Sequence, residues 1–194
     1  SNATSGNKLF LHDFTQPQKG FITIVGHSNS DTYVMDTQGD NLLLSTNLEA
    51  PNKRVVKATL DQPGPEFWQD VIPETEHVLS VSTAGGFIFA EYMVDALSKV
   101  YQYDTTGRMI REIALPGLGS AGGFSAKKTD ADLYYSFTNY TTPGSVFKLS
   151  IAEGRSELFI QPSIDFDSGA YTSDQVFYTS KDGTQVPMII TYKK

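Results

Sequence analysis

Cysteine is absent from the 194-residue chain, which removes disulfide frameworks, thiolate metal sites and cysteine nucleophiles together. A cytoplasmic and a periplasmic protein can both lack cysteine, so the compartment stays open. Cations are scarce. The 15 Lys and Arg stand against 22 Asp and Glu, a net charge of −7, which is the wrong sign for following a phosphate backbone. No nucleic-acid partner is expected. No apolar run approaches the roughly 18 residues needed to span a bilayer, so a soluble chain without a membrane partner is expected. What is present is 39% hydrophobic and 12% aromatic residues, enough to build a core and to argue against intrinsic disorder. The length suits one generous domain or two small ones. Residues 1–3, Ser1-Asn2-Ala3, look like a cleaved expression-tag scar and are set aside.

The 16 glycines and 9 prolines fall between short runs of Val, Ile, Tyr, Phe and Thr, not inside long 3.6-period stretches, which predicts an all-β chain. Strands are expected over 8–14, 21–25, 33–36, 42–46, 55–60, 78–83, 87–93, 100–104, 109–115, 133–138, 146–150 and 157–160. The stretch 66–71 reads as a strand in preference to a helical turn, because it holds the same place in a repeat. That repeat emerges when Val55, Val100 and Val146 are superposed as openings of third strands, 45 and 46 residues apart. The same shifts bring Leu42, Phe87 and Leu133 together in the preceding strands, and the following strands run out at Pro73, Pro116 and Pro162. Gly64, Gly107 and Gly154 punctuate the last turns.

A period near 45 residues with about four strands per unit is what one β-propeller blade requires. A β-sandwich is the alternative, but it does not need three strand types to keep one offset. Three repeats, at 31–73, 77–116 and 117–162, are fewer than the roughly four to eight blades that close a ring. The expectation is therefore a partial propeller, with 4–30 supplying strands of a preceding blade and 31–162 three blades. In 163–194 the pattern changes to a linker and a hairpin, 176–180 and 186–192, around a two-residue Asp182-Gly183 turn with positive φ at Gly183.

Sites of chemistry are hard to find. A strained strand-to-helix elbow would show as G-x-S-x-G. Gly26-His27-Ser28-Asn29-Ser30 lacks the second glycine, and Ser120-Ala121-Gly122-Gly123 lacks the context; both read as turns. Ser125-Ala126-Lys127-Lys128 has S-x-x-K spacing in a β segment and reads as a solvated strand end. His12, His27 and His77 are 15 and 50 residues apart, so no local metal pair forms. Asp165-Phe166-Asp167-Ser168-Gly169 lacks the remaining ligands of a calcium loop and reads as turn chemistry. Asp130 and Asp132 flank a strand start and read as surface residues, while Trp68 with Phe67 reads as core of an outer strand. No catalytic, cofactor-binding or metal-binding residue is assigned.

The C-terminal run Gln175-Val176-Phe177-Tyr178-Thr179-Ser180-Lys181-Asp182-Gly183-Thr184-Gln185-Val186-Pro187-Met188-Ile189-Ile190 resembles the passage from propeller to hydrolase domain in the prolyl oligopeptidases. The resemblance extends to Gly123-Phe124-Ser125, to Asp132-Leu133-Tyr134-Tyr135-Ser136-Phe137-Thr138-Asn139-Tyr140 and Thr141-Thr142-Pro143-Gly144-Ser145-Val146-Phe147, and to Asn47-Leu48-Glu49-Ala50-Pro51-Asn52-Lys53-Arg54-Val55. Members of that family join a seven-bladed propeller to an α/β-hydrolase domain carrying Ser, Asp and His, and cleave short peptides after proline. The resemblance implies later propeller blades plus the first hydrolase hairpin. It also implies a substrate-gating role toward proline-containing peptides, with the chain's own hydrolase domain as partner and with the chain alone inactive. None of the family's triad, oxyanion or proline-pocket motifs matches a position here. A free-standing propeller module that binds a protein partner is the alternative. An arc of blades would leave terminal faces open, with Val34, Leu43, Phe147 and Leu149 near one of them, so self-association of the chain is a further expectation.

Overall fold

The computed structural model describes residues 6–194, so the tag-scar reading of residues 1–3 lies outside them. In a first compact unit, Ser1–Ser80, β1 (Leu9–His12) and β2 (Phe21–Val25) form a two-stranded sheet. There β3 (Thr32–Gln38), β4 (Asn41–Thr46), β5 (Arg54–Thr59) and β6 (Gln69–Ile72) form a four-stranded antiparallel meander. In the second unit, Val81–Lys194, one four-stranded sheet runs β7 (Leu79–Ala84), β8 (Phe87–Val94), β9 (Leu97–Tyr103) and β10 (Met109–Glu112). The first two residues of β7 precede the boundary. A second sheet runs β11 (Ser120–Gly122), β12 (Asp132–Thr138), β13 (Ser145–Ser150) and β14 (Arg155–Ile160), and β15 (Tyr171–Thr179) pairs with β16 (Gln185–Lys193) as a hairpin. The chain is thus mostly β, with three four-stranded blades in sequence order. The superposed valines at 55, 100 and 146 all lie in third strands, β5, β9 and β13.

Two details differ from the sequence reading. Residues Pro65–Phe67 form a 3₁₀ turn, because a proline at the first position fixes φ, and the strand begins only at Gln69. Ser120–Gly122, read as a turn, is the short first strand of its blade and pairs with Thr138, Phe137 and Ser136.

Hydrophobic patterning explains where the core sits. In β12, Leu133, Tyr135 and Phe137 are buried while Tyr134, Ser136 and Thr138 are exposed, the period of a strand with one covered face. In β4 and β8 the alternation fails. Leu42, Leu43 and Leu44, and likewise Ile88, Phe89 and Ala90, are all buried, so both faces are shielded from water there. Within the second unit the two blades share one core, to which β8 contributes Phe89, β9 Val100, β12 Leu133, Tyr135 and Phe137, and β13 Leu149. Phe124 follows β11 and sits centrally, 6.1 Å from the Phe89 ring and 4.5 Å from Tyr135, which lies 5.6 Å from Phe147. Each such pair adds about 0.5–1.5 kcal/mol beyond its area burial.

Three of the four residues expected near an open face lie inward instead. Leu43 and Leu149 are buried and Phe147 packs against the blade core; of the four, Val34 is exposed, at 44%. Phe147 and Leu149 face the core between the two blades of the second unit, while Lys148, which alternates with them, pairs with Asp132, as a period-2 strand requires.

Candidate functional site

The residues weighed for chemistry stay apart and are occupied locally. His12 Nδ1 lies 3.0 Å from the Gly20 carbonyl, with its ring against Phe14 and Phe21. His27 is exposed, and His77 Nε2 is 3.6 Å from Glu76 Oε1. In the 26–30 segment Ser30 is buried, and its carbonyl accepts from Asn7 N at 3.0 Å. Asp130 Oδ2 accepts from Lys127 N at 3.0 Å, and Asp132 pairs with Lys148 Nζ at 3.1 Å. Asp167 Oδ1 accepts from Gly169 N at 3.0 Å, an Asx turn. Ser125 to Lys128 lie in irregular backbone after β11, not in a strand, because Ala126 N donates to the Thr83 carbonyl of the neighbouring blade. Trp68 packs on the first unit's core and donates from Nε1 to Pro63 O at 2.8 Å, but Phe67 is 50% exposed and is not core, since the 3₁₀ turn aims it outward. Among the described residues no group of three or more His, Asp or Glu gathers as for a metal ion.

The geometry that does stand out is the seam between the two blades of the second unit. Backbone bonds stitch it at several levels: Gly85 N to Lys127 O at 3.0 Å, Ala126 N to Thr83 O at 3.1 Å, and Ser98 N to Gly119 O at 3.0 Å. Side chains add to these. Ser82 Oγ donates to Phe124 O at 2.8 Å, Gln102 Nε2 to Ile151 O at 3.0 Å, and Arg111 Nη2 to Ala152 O at 3.0 Å. Ser98 Oγ accepts from Ala121 N at 2.9 Å. A wall tied in this way resists opening, because each backbone bond lost inside it would leave polar groups away from water.

Glu91, which the sequence reading passed over, lies in this seam. It sits on β8 opposite Val100, and a β-carbon at Gly122 of the next blade would approach its Oε2 to 3.7 Å. Burial pushes its carboxyl up from 4.5 to about 7, and among the described residues no ion pair or hydrogen bond reaches it. The available signal was a lone acid in the apolar run Phe87-Ile88-Phe89-Ala90-Glu91-Tyr92-Met93. Asp104 shows the opposite effect: the Thr106 hydroxyl, Arg108 and backbone N–H groups hold its carboxyl down at about 2, as befits a turn-forming carboxylate. At one end of the seam a cavity of about 280 Å³ is lined by Ala96, Leu97, Leu118, Asn139, Tyr140 and, from the hairpin, Ile189. The assembly can bound a space and hold a shape, which are the functions of a wall.

Comparison with known proteins places this wall in a family. The description "Prolyl oligopeptidase, N-terminal beta-propeller domain" matches residues 1–162. A prolyl endopeptidase from Elizabethkingia miricola is 50% identical over 194 residues, covering 100% of this chain and 27% of the relative. A solved structure from a study of two prolyl endopeptidases and their inter-domain dynamics superposes with a TM-score of 0.81 at 33% identity, over 98% of this chain and 28% of that one. Apo prolyl oligopeptidase B from Galerina marginata gives a TM-score of 0.85 at 23% identity, over 99% of this chain and 28% of the other, and so shows shared fold. The chain spans about a quarter of the length of these relatives.

Proposed function

Because the chain belongs to the prolyl oligopeptidase family through its N-terminal β-propeller domain, we propose that it gates substrate for a serine endopeptidase that cuts short peptides after proline. The 50% identity to a prolyl endopeptidase over all 194 residues carries the reading. In this proposal 4–30 belong to a preceding blade, 31–162 are three blades of the gate, and 163–194 are the linker and first hairpin of the hydrolase domain. The family match, which ends at residue 162, supports the boundary placed there. The nucleophile and its partners belong to the hydrolase domain, and the chain by itself is inactive.

Gating follows from the seam physics. Blades joined through buried aromatic rings and paired backbone form a wall that a flexible peptide passes around and a folded protein does not. Selectivity by size then costs the enzyme nothing in transition-state binding. The test is to assay the longer polypeptide that contains this chain against a short proline-containing peptide and against a folded protein with exposed prolines. Cleavage of the peptide with sparing of the folded protein is expected, and the 194-residue chain alone should give no turnover. Equal digestion of both substrates would overturn the gate, and turnover by the chain alone would overturn the assignment of the chemistry.

A further inference from the structure

The apolar walls of the cavity of about 280 Å³ at the end of the seam are Leu97 and Leu118 from the blades and Ile189 from the hairpin. No Asp, Glu, Lys, Arg or His lines it. Both walls are held in place. On the blade side, Gly119 lets the chain close on β12, since a β-carbon there would strike Thr138 O and come within 2.9 Å of Asn139 Cβ. On the hairpin side, Gln175, the cross-strand partner of Ile189, donates from Nε2 to the Asp95 carbonyl at 2.7 Å. Asn139, between β12 and β13, adds a polar group to the lining. Its Oδ1 accepts from Thr141 N at 3.0 Å, Thr142 N at 2.6 Å and Thr141 Oγ1 at 3.2 Å, an Asx turn that fixes the amide plane. Among the described residues its Nδ2 donates no hydrogen bond. The amide therefore offers one oriented donor, and Tyr140, which lines the cavity while 75% exposed, marks its open side.

We propose that this cavity is a binding site for a neutral ring bearing a carbonyl group, the ring lying between Leu97, Leu118 and Ile189 and the carbonyl accepting from Asn139 Nδ2. Size sets the ring. A cavity of roughly 150 Å³ accepts benzene, so about 280 Å³ has room for a ring and its carbonyl, while pockets for drug-sized molecules begin at about 300 Å³. A ring also fills apolar space with fewer rotors to immobilise than an open chain does. The uncharged lining sets the neutrality, because an ionised group would give up its hydration there without a counter-charge. Two sources carry this chemistry, a prolyl residue within a peptide and a free cyclic amide. The site stands on its lining and does not depend on the gating role.

The test is an NMR titration of the methyl-labelled 194-residue chain with N-acetylprolinamide. Saturable shifts of the Leu97, Leu118 and Ile189 methyls are expected, with a Kd on the order of 1 mM for so small a ligand. N-acetylglycinamide, which keeps the carbonyls and lacks the ring, and N-acetylproline, which adds a carboxylate, should each bind about tenfold more weakly or not at all. Asn139→Asp keeps Oδ1 for the Asx turn and removes the donor, so affinity should fall about tenfold while the melting temperature holds. Should that variant disturb the fold, Leu118→Ala, at a 37%-exposed position, decides: weaker binding supports the site and unchanged binding overturns it. Equal shifts with the glycine compound, or shifts spread away from these three residues, would also overturn it. A blocked Ala-Pro-Ala peptide and 2-pyrrolidinone separate the sources. Binding of the peptide assigns the site to a prolyl residue, binding of the lactam alone assigns it to a free cyclic amide, and binding of neither overturns the proposal.

Discussion

The turn that joins β9 to β10 and the turn that joins β15 to β16 are built alike, yet the strands they connect are held in different ways. In the first, Asp104 N donates to Arg108 O, Gly107 N donates to Asp104 O, and Gly107 lies at φ +90°. In the second, Ser180 N donates to Thr184 O, Gly183 N donates to Ser180 O, and Gly183 lies at φ +89°. Both are three-residue connections with glycine at the bulge position. The two-residue Asp-Gly turn expected at 182–183 is corrected accordingly, while its positive φ at Gly183 holds. Around the first turn, Val100 and Gln102 of β9 are fully buried in or beside the shared blade core. Around the second, Phe177, Tyr178, Met188, Ile190 and Tyr192 are exposed. Local chemistry makes the same turn twice; non-local burial decides what that turn supports.

The largest test of this contrast is Phe124→Ala. It empties the centre of an aromatic row that reaches from Phe89 to Phe147, so about 3–5 kcal/mol should be lost. For a chain of this size that lowers the melting temperature by on the order of 10 °C in calorimetry. Hydrogen exchange in β15 and β16 should barely change. Equal loosening of hairpin and blades would break the contrast, since it would place the hairpin inside the blades' cooperative unit.

The same contrast explains what could be read beforehand. The blade count and three strand types were legible because short apolar runs opening at Val55, Val100 and Val146 recur at one period and each falls in the third strand of its blade. The short β11 was not legible: Ser120-Ala121-Gly122 carries no apolar signal, and its strand geometry comes from pairing with Phe137 and from the Ser98 contacts, both distant in sequence. Glu91 was missed for a related reason. Its charge is visible in the sequence, but its burial depends on Gly122 in another blade. The inward facing of Leu149 likewise depends on which blade covers β13, which the local sequence does not encode.

A second, smaller effect concerns that seam carboxyl. Below pH 4.5 Glu91 is protonated in the folded and the unfolded chain alike and adds no pH dependence. Between 4.5 and about 7 the folded state keeps the proton that the unfolded state releases, so stability falls as pH rises. Above about 7 both states are ionised and the full penalty remains. Glu91→Gln should abolish this part of the slope. After discounting for solvent reaching a half-buried group, it should stabilise the chain at pH 8 by about 1–2 kcal/mol, with little change at pH 4. Urea unfolding of both proteins at pH 4, 6 and 8 measures the difference. Parallel curves would mean that water relieves the seam and that the blades are less tightly joined than their ring contacts indicate.

The last effect, no larger than that at Glu91, is the sharpest on the comparison, because it applies one perturbation to both turns. Gly107→Val and Gly183→Val each put a β-branched side chain where φ is close to +90°, a backbone that such residues resist at a cost of about 1–2 kcal/mol. At Gly183 nothing lies within 4 Å of the added β-carbon, so the cost there is purely conformational. In the blade, that cost has to pass into the shared core, because β9 carries Val100 and pairs with β8 along its length; a melting-temperature drop of a few degrees is expected. In the hairpin, the cost falls on a pair of strands tied to the blades by the Gln175 bond. Amide exchange in β15 and β16 should then quicken about five- to thirtyfold while the main calorimetric transition stays in place. Equal shifts of the main transition by the two variants would show that the hairpin unfolds with the blades. A shift from Gly183→Val alone would invert the assignment of the cooperative core.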